Sequence, residues 1–229
     1  MANTHSAILN GSSQWVKINT SWKPTTFTIS AWIKPTAISG TQRIFTSFGD
    51  DLIFSLESTG KLKASIWDDT GSFGYENFDS TGTITAGVWT FVAFTKNNTS
   101  KAWAFYIGTG STADSSGTGA RNAVYEASTL YDFSAIGSRT YGSAGAFFGG
   151  KIDEVRLWNT DRSGANLASD CSQELVGTET NLYGYYKFNN DLTDSDDAPH
   201  NGVDNGTITF STDIPFPLSS GSALMSFMV

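Results

Sequence analysis

The chain has 229 residues, 14 basic and 22 acidic, for a net charge of −8, and only 16% of its side chains are charged against 14% aromatic. There is no Lys/Arg cluster to release counterions from a phosphate backbone, which excludes nucleic acid as a partner. One cysteine, Cys171, and two histidines, His5 and His200, exclude an internal disulfide and a Cys/His zinc site.

The opening "MANTHSAILNGSSQWVKI" has neither a basic nor a long apolar segment, so no secretory signal is expected. No apolar run reaches the length of a membrane span, and no membrane insertion is expected. "AILNGSSQWVKI" reads as two strands of a hairpin about Asn10-Gly11. "FTISAWIKP" alternates: Phe27, Ile29, Ala31 and Ile33 share one face, Thr28, Ser30, Trp32 and Lys34 the other, and Pro35 ends the run. "RIFTSFG", "LIFSLEST" and "LKASIWDD" follow at antiparallel spacing, then "VWTFVAFTKNN" and "KAWAFYIGTG" about a turn at Asn97–Ser100. Residues 108–122 read as a Gly/Ser/Thr loop. "LYDFSAIG" and "FFGGKIDEVRLWN" are strands again, and a short helix is predicted over Ser163–Cys171 with Ser163 as its N-cap. "LYGYYKFNN" is a strand, and an acidic loop, "DLTDSDDAPHNGVDNG", precedes "TITFST". With no linker and no internal repeat, the chain reads as one domain.

Four of these pieces, in order, resemble the laminin-G-like, or concanavalin A-like, jelly roll. They are "FTISAWIKP", "GVWTFVAFTKNNTSKAWAFYIGTG", "AIGSRTYGSAGAFFGGKIDEVRLWNTDRS" and "LYGYYKFNNDLTDSDDAPHNG". The resemblance implies an all-β, two-sheet antiparallel sandwich with at most one short helix over residues 1–214, followed by an apolar tail at 215–229. That superfamily includes lectins, adhesion modules, enzyme-appended binding modules and glycosidases, so the fold alone does not choose a function.

Asp153 and Glu154, side by side in one strand, raise the possibility of a glycosidase. Retaining hydrolysis needs two carboxylates roughly 5–5.5 Å apart across one bond. Laminarinase-type relatives carry Glu-x-Asp-x-x-Glu; with Asp153 as the central Asp, Lys151 and Arg156 stand where the two Glu residues should be. Strict alternation also sends Asp153 and Glu154 to opposite faces. The expectation is therefore structural: Val155 and Leu157 inward, Asp153 bonded to a neighbouring turn, Glu154 paired with Arg156, and no catalysis. No Gly-x-Ser-x-Gly elbow accompanies His5 or His200, and no βαβ unit surrounds "GTGSTA".

Trp67, Asp68, Asp69 and Tyr75, in "WDDTGSFGYENFD", combine aromatic faces with acceptors and form the candidate glycan platform. Trp32, Trp89 and Trp103 are expected in the core. Asp194, Asp196 and Asp197 form a candidate site for a structural Ca²⁺, which wants six to eight oxygens, although the spacing is not that of an EF-hand. No cofactor is required. The tail, with Phe216, Leu224 and Phe227, carries enough apolar surface to dock on a second copy or a shell protein, or to fold back on its own sandwich.

The reading is a non-catalytic adhesion or structural module, made in the cytoplasm and displayed on a particle surface. A bacteriophage virion protein, as capsid decoration or tail-associated domain, fits it, with a surface glycan or virion shell proteins as partners and a homo-oligomer as one outcome. The alternative is a carbohydrate-binding lectin, with a glycoside hydrolase third.

Overall fold

The computed structural model describes residues 3–20, 22–47, 49–68, 74–108, 110–119, 133–140, 142–196 and 199–216. The first strands are β1 (Ser6–Asn10), β2 (Trp15–Ile18), β3 (Phe27–Pro35), β4 (Gln42–Ser47) and β5 (Leu52–Leu56). Next come β6 (Lys61–Asp68), β7 (Gly74–Thr83), β8 (Thr90–Lys96), β9 (Ala102–Gly108) and β10 (Ala113–Thr118). β11 (Ser134–Ile136) and β12 (Gly149–Trp158) lead into helix α1 (Gly164–Asp170), and β13 (Leu182–Tyr186), β14 (Gly202–Asn205) and β15 (Thr209–Ser211) follow. An eight-stranded sheet runs β10-β9-β8-β3-β12-β1-β15 with β13 also on β12, and a seven-stranded sheet runs β14-β2-β11-β4-β5-β6-β7. The fold is the expected two-sheet antiparallel jelly-roll sandwich.

Period-two alternation builds the core. On β3, Phe27, Ile29, Ala31 and Ile33 are all fully buried between the sheets, as the sequence predicts. Each large apolar side chain so buried is worth roughly 1.5–3 kcal/mol. Phe105 of β9 packs at 4.8 Å from Phe94 of β8 and at 6.3 Å from Phe54 of the opposite sheet, tying the layers together. α1 forms where predicted. Ser163 is extended and its side chain accepts from the Asn166 amide, satisfying an orphan donor of the first turn. Leu167 then seals the helix against Phe91, Ala93 and Ala104 on the outer face of the eight-stranded sheet.

β12 is the joint of that sheet. One edge of it pairs with β3. Along the other edge, Gly149–Ile152 pair with β1 and Val155–Trp158 with β13. Where the partner changes, the register with β3 shifts between Asp153 and Arg156, and Glu154 takes a left-handed φ of 52°. This is a β-bulge: two residues stand against one, and alternation is reset.

Several expectations are corrected. β1 and β2 are not a hairpin, because each lies in a different sheet. Asn10 Oδ1 accepts from the amides of Ser12, Ser13 and Gln14, so the Asn-Gly turn carries the chain across the sandwich. Gly11 suits the crossing: its φ is 73°, and a Cβ there would lie 3.1 Å from Gly149 Cα. The supposed loop at 108–122 contains β10, and the acidic loop contains β14. Trp32 lies on the outer face, donating to the Cys171 carbonyl at 2.9 Å. Trp89 is half-buried and donates to Asp213, while Trp103 is partly buried against the core. The fully enclosed indoles are Trp22 and Trp158.

Candidate functional site

The paired carboxylates of β12 are closed to any substrate. Asp153 and Glu154 are 0% and 1% exposed. Contrary to the alternation argument, the bulge brings both to the outer side of the sheet. Ile152, Val155 and Leu157 occupy the core, while Asp153 stands opposite Trp32 and Glu154 meets Arg156 and Tyr185. Asp153 does not bond a neighbouring turn. Its Oδ1 accepts from the next backbone amide, that of Glu154, and its Oδ2 from Asn3 Nδ2, each at 2.9 Å. Glu154 does pair with Arg156, as expected, and accepts from Tyr185 Oη at 2.5 Å. Arg156 further donates to the carbonyls of Asp170 and Gln173. Burial, and then the charge of Glu154, push the Asp153 carboxyl well above its ordinary value; burial also raises Glu154. These groups lock α1 and the segment after it onto the bulge.

The outer face of the seven-stranded sheet is different. On β6, Leu62, Ala64 and Ile66 point inward, so Lys63, Ser65 and Trp67 point outward. Trp67 pairs directly with Tyr75 across the β6–β7 hairpin, the rings edge to face with centroids 5.0 Å apart. Tyr75 is 39% exposed, and its hydroxyl donates to the Asp50 carbonyl at 3.2 Å. Asp50 is pinned in a left-handed conformation by Thr140, whose amide and hydroxyl donate to its Oδ1 at 2.7 and 3.2 Å. Arg43, on the outward side of β4 opposite Ser55, reaches toward Asp50, with Nη2 4.0 Å from Oδ2. Burial holds its guanidinium below the ordinary value, against the pull of Asp50 and Glu57. The structure brings the sequence candidates Trp67 and Tyr75 together and sets beside them Arg43 and Asp50, which the sequence did not single out. Asp68 is described only in its backbone, and Asp69 lies outside the described residues.

The acidic loop is organised by Asp194. Its Oδ1 accepts from the amides of Tyr185 and Asp196, and its Oδ2 from that of His200. These three bonds shape the turn that joins β13 to β14. Asp197 lies outside the described residues, among which no group of three acidic, His or Cys side chains is placed to hold a metal. Of the tail, Phe216 packs edge to face on Trp32 of its own sandwich at 6.4 Å, while Leu224 and Phe227 lie outside the described residues. Asp213 holds that crossing in place, accepting from Lys34 at 2.7 Å, Lys151 at 2.5 Å and Trp89 at 2.9 Å.

A groove of about 600 Å³ also opens on the outer face of the eight-stranded sheet, between β9–β10 and the entry to α1. Tyr106 and Asp161 line it, above a floor of Thr95, Ala104 and Ser116. Its lining mixes small and hydroxyl side chains with Trp103 and Arg162, from separate stretches of the chain that no local motif joins.

Comparison with known proteins adds the family. A family model described as the concanavalin A-like lectin/glucanases superfamily matches residues 10–168. No curated protein sequence matches the chain. Among solved structures, a Bacteroides ovatus protein provisionally described as carbohydrate-binding shares 21% identity and a TM-score of 0.72 over 94% of this chain. The match spans 62% of that protein, less than two thirds of its length. A heptameric SAP-like pentraxin from Limulus polyphemus shares 13% identity over 91% of this chain and 95% of its own, with a TM-score of 0.65. The CBM40 module of the Ruminococcus gnavus IT-sialidase, solved with α2,3-sialyllactose, shares 14% over 74% and 98%, with a TM-score of 0.58. At these identities the likeness is one of fold. No helix among the described residues is long and apolar enough to cross a membrane.

Proposed function

The chain belongs to the concanavalin A-like lectin/glucanases superfamily, and from that premise we propose that it is a non-catalytic carbohydrate-binding module. Its glycan lies on the outer face of the seven-stranded sheet at Trp67 and Tyr75. The observation that carries this reading is the cross-strand Trp67–Tyr75 pair, held at the sheet end with Tyr75 open to solvent. A sugar offers an apolar C–H face to such rings and hydroxyls to the polar groups beside them, here Asp50 and Arg43. The Bacteroides ovatus and Ruminococcus gnavus proteins, both described as carbohydrate-binding, support it. Against catalysis stands the burial of Asp153 and Glu154, which no glycosidic bond reaches. Incubation with β-glucans and a reducing-end assay should show no turnover.

The particle-surface reading drawn from the sequence remains a separate proposal, and the relatives favour the lectin alternative over it. Light scattering of the full chain and of a chain ending at Pro217 tests the tail's part in a homo-oligomer. For the binding face, a glycan array of wild type and Trp67→Ala is decisive. Signal should vanish in the variant while its circular dichroism and melting temperature persist. Binding that survives Trp67→Ala but not Tyr106→Ala would move the site to the groove beside α1.

A further inference from the structure

Arg43 sits against the grain of its surroundings. In a chain of net charge −8, it is a largely buried cation that no carboxylate closes upon. Its side chain is 17% exposed, and its Nε is buried with no hydrogen-bond partner. Its sole ion-pair neighbour among the described residues is Asp50 at 4.0 Å, a distance too long for a hydrogen bond. Asp50 is held there by Thr140. The other acid nearby, Glu57, has both oxygens engaged, Oε1 by Ser55 Oγ at 2.7 Å and Oε2 by Thr41 Oγ1 at 2.8 Å. Thr46, the next outward side chain on β4 past a second bulge, is fully buried, and its Oγ1 also lacks a partner. Asp50 links Arg43 to the aromatic pair, since its carbonyl accepts from Tyr75 Oη at 3.2 Å, and the guanidinium is left without a close carboxylate on the face that carries Trp67 and Tyr75.

We infer that Arg43 anchors a negative group of the ligand, so that the glycan bound on this face is an acidic one bearing a carboxylate on the sugar. The proposal rests on the carbohydrate-binding reading above and deepens it. A guanidinium presents a planar fork of N–H donors that matches both oxygens of a carboxylate. The aromatic pair takes the apolar face of the ring, and the arginine selects its charge.

The test is calorimetric titration of the full chain with matched pairs that differ only in charge: 3′-sialyllactose and its methyl ester, and trigalacturonate and its methyl ester, with arabinotriose and laminaritriose as neutral probes. At least one acid should bind roughly tenfold or more tighter than its own ester. Arg43→Gln should erase that preference, bringing acid and ester to one affinity. Should that variant fail to fold, Arg43→Lys, which keeps the charge but not the fork, must lose most of the preference. Equal binding of acid and ester, or of neutral probes alone, overturns the acidic ligand and leaves the glycan face standing. A preference that persists in both variants overturns the role of Arg43. Binding of no probe overturns this inference and the carbohydrate reading together.

Discussion

Two arginines on the two outer faces of the sandwich have opposite fates. Arg156, on the eight-stranded sheet, is 1% exposed; its Nε is unpartnered, but its terminal nitrogens reach Glu154, Tyr185 and two backbone carbonyls. Arg43, on the seven-stranded sheet, is 17% exposed and has one ion-pair neighbour among the described residues, at 4.0 Å. A buried charge is tolerated when paired and bonded, and is otherwise costly. The first arginine therefore accounts for itself within the fold and the second does not. That difference separates the two arginines: one is enclosed beneath α1, the other lies near the Trp67–Tyr75 pair, whose tyrosine is exposed.

The largest expected effect lies on the closed face. Arg156→Met should leave Glu154 buried without its partner and cost about 3–5 kcal/mol, the range for breaking a buried pair. Denaturant melts would show it directly. A loss below about 1 kcal/mol would mean that the cluster does not lock α1, and the contrast between the faces would dissolve.

Asp153 gives a pH signature of the same closure. Its carboxyl is raised in the folded state, first by burial and then by Glu154. The sign follows: the stability it contributes is present below the unfolded value of about 4 and is lost as pH rises toward the folded one. Asp153→Asn mimics the protonated form. Asn3 can turn its unpartnered Oδ1 toward the new amide, since amide orientation is set by the network. The variant should therefore gain on wild type as pH rises above about 4, by at most about 1.4 kcal/mol per pH unit. A difference in melting temperature that stays flat as pH rises from about 4 to neutrality would show that Asp153 ionises freely.

On the open face the prediction inverts. Trp67→Ala should abolish glycan binding yet cost little stability, about 1 kcal/mol or less, because the indole sits at a hairpin end and not in the core. A loss comparable with that of Arg156→Met would make Trp67 a structural residue and return both faces to the same class.

Much of the fold was legible because burial imposes a period. The alternation of β3 named its four core residues, and the Ser163 cap placed α1. The bulge was not legible: nothing in "KIDEVRL" announces that Glu154 takes a left-handed φ, because the joint exists only where β1 ends and β13 begins. β10 was missed for a related reason. "ADSSGT" has no apolar face of its own and becomes a strand by pairing with the edge of β9. Of the proposed binding face, Trp67 and Tyr75 carried a compositional signal. Arg43 carried none, since its meaning lies in what fails to reach it, and Asp50 and Glu57 are drawn away by Thr140, Ser55 and Thr41 in three dimensions.

The smallest expected effect tests the edge where the chain leaves the closed face. Asp213 is only partly buried, which would raise its carboxyl, yet hydrogen bonds from Lys151, Lys34 and Trp89 outweigh this and hold it below the ordinary range. Its sign is opposite to that of Asp153. A depressed carboxyl contributes stability above the unfolded value of about 4, and that contribution is lost as pH falls below it. The side chain is 36% exposed, so solvent and salt screen the pairs, and Asp213→Asn should cost only about 0.2–1 kcal/mol at neutral pH and low salt. The difference should shrink toward pH 3 and in molar salt. Trp89 fluorescence should shift in the variant, because its indole N–H loses a charged acceptor. A variant whose deficit grows on acidification, or is indifferent to salt, would show that this clamp is not electrostatic and that the crossing is held by Phe216 on Trp32 instead.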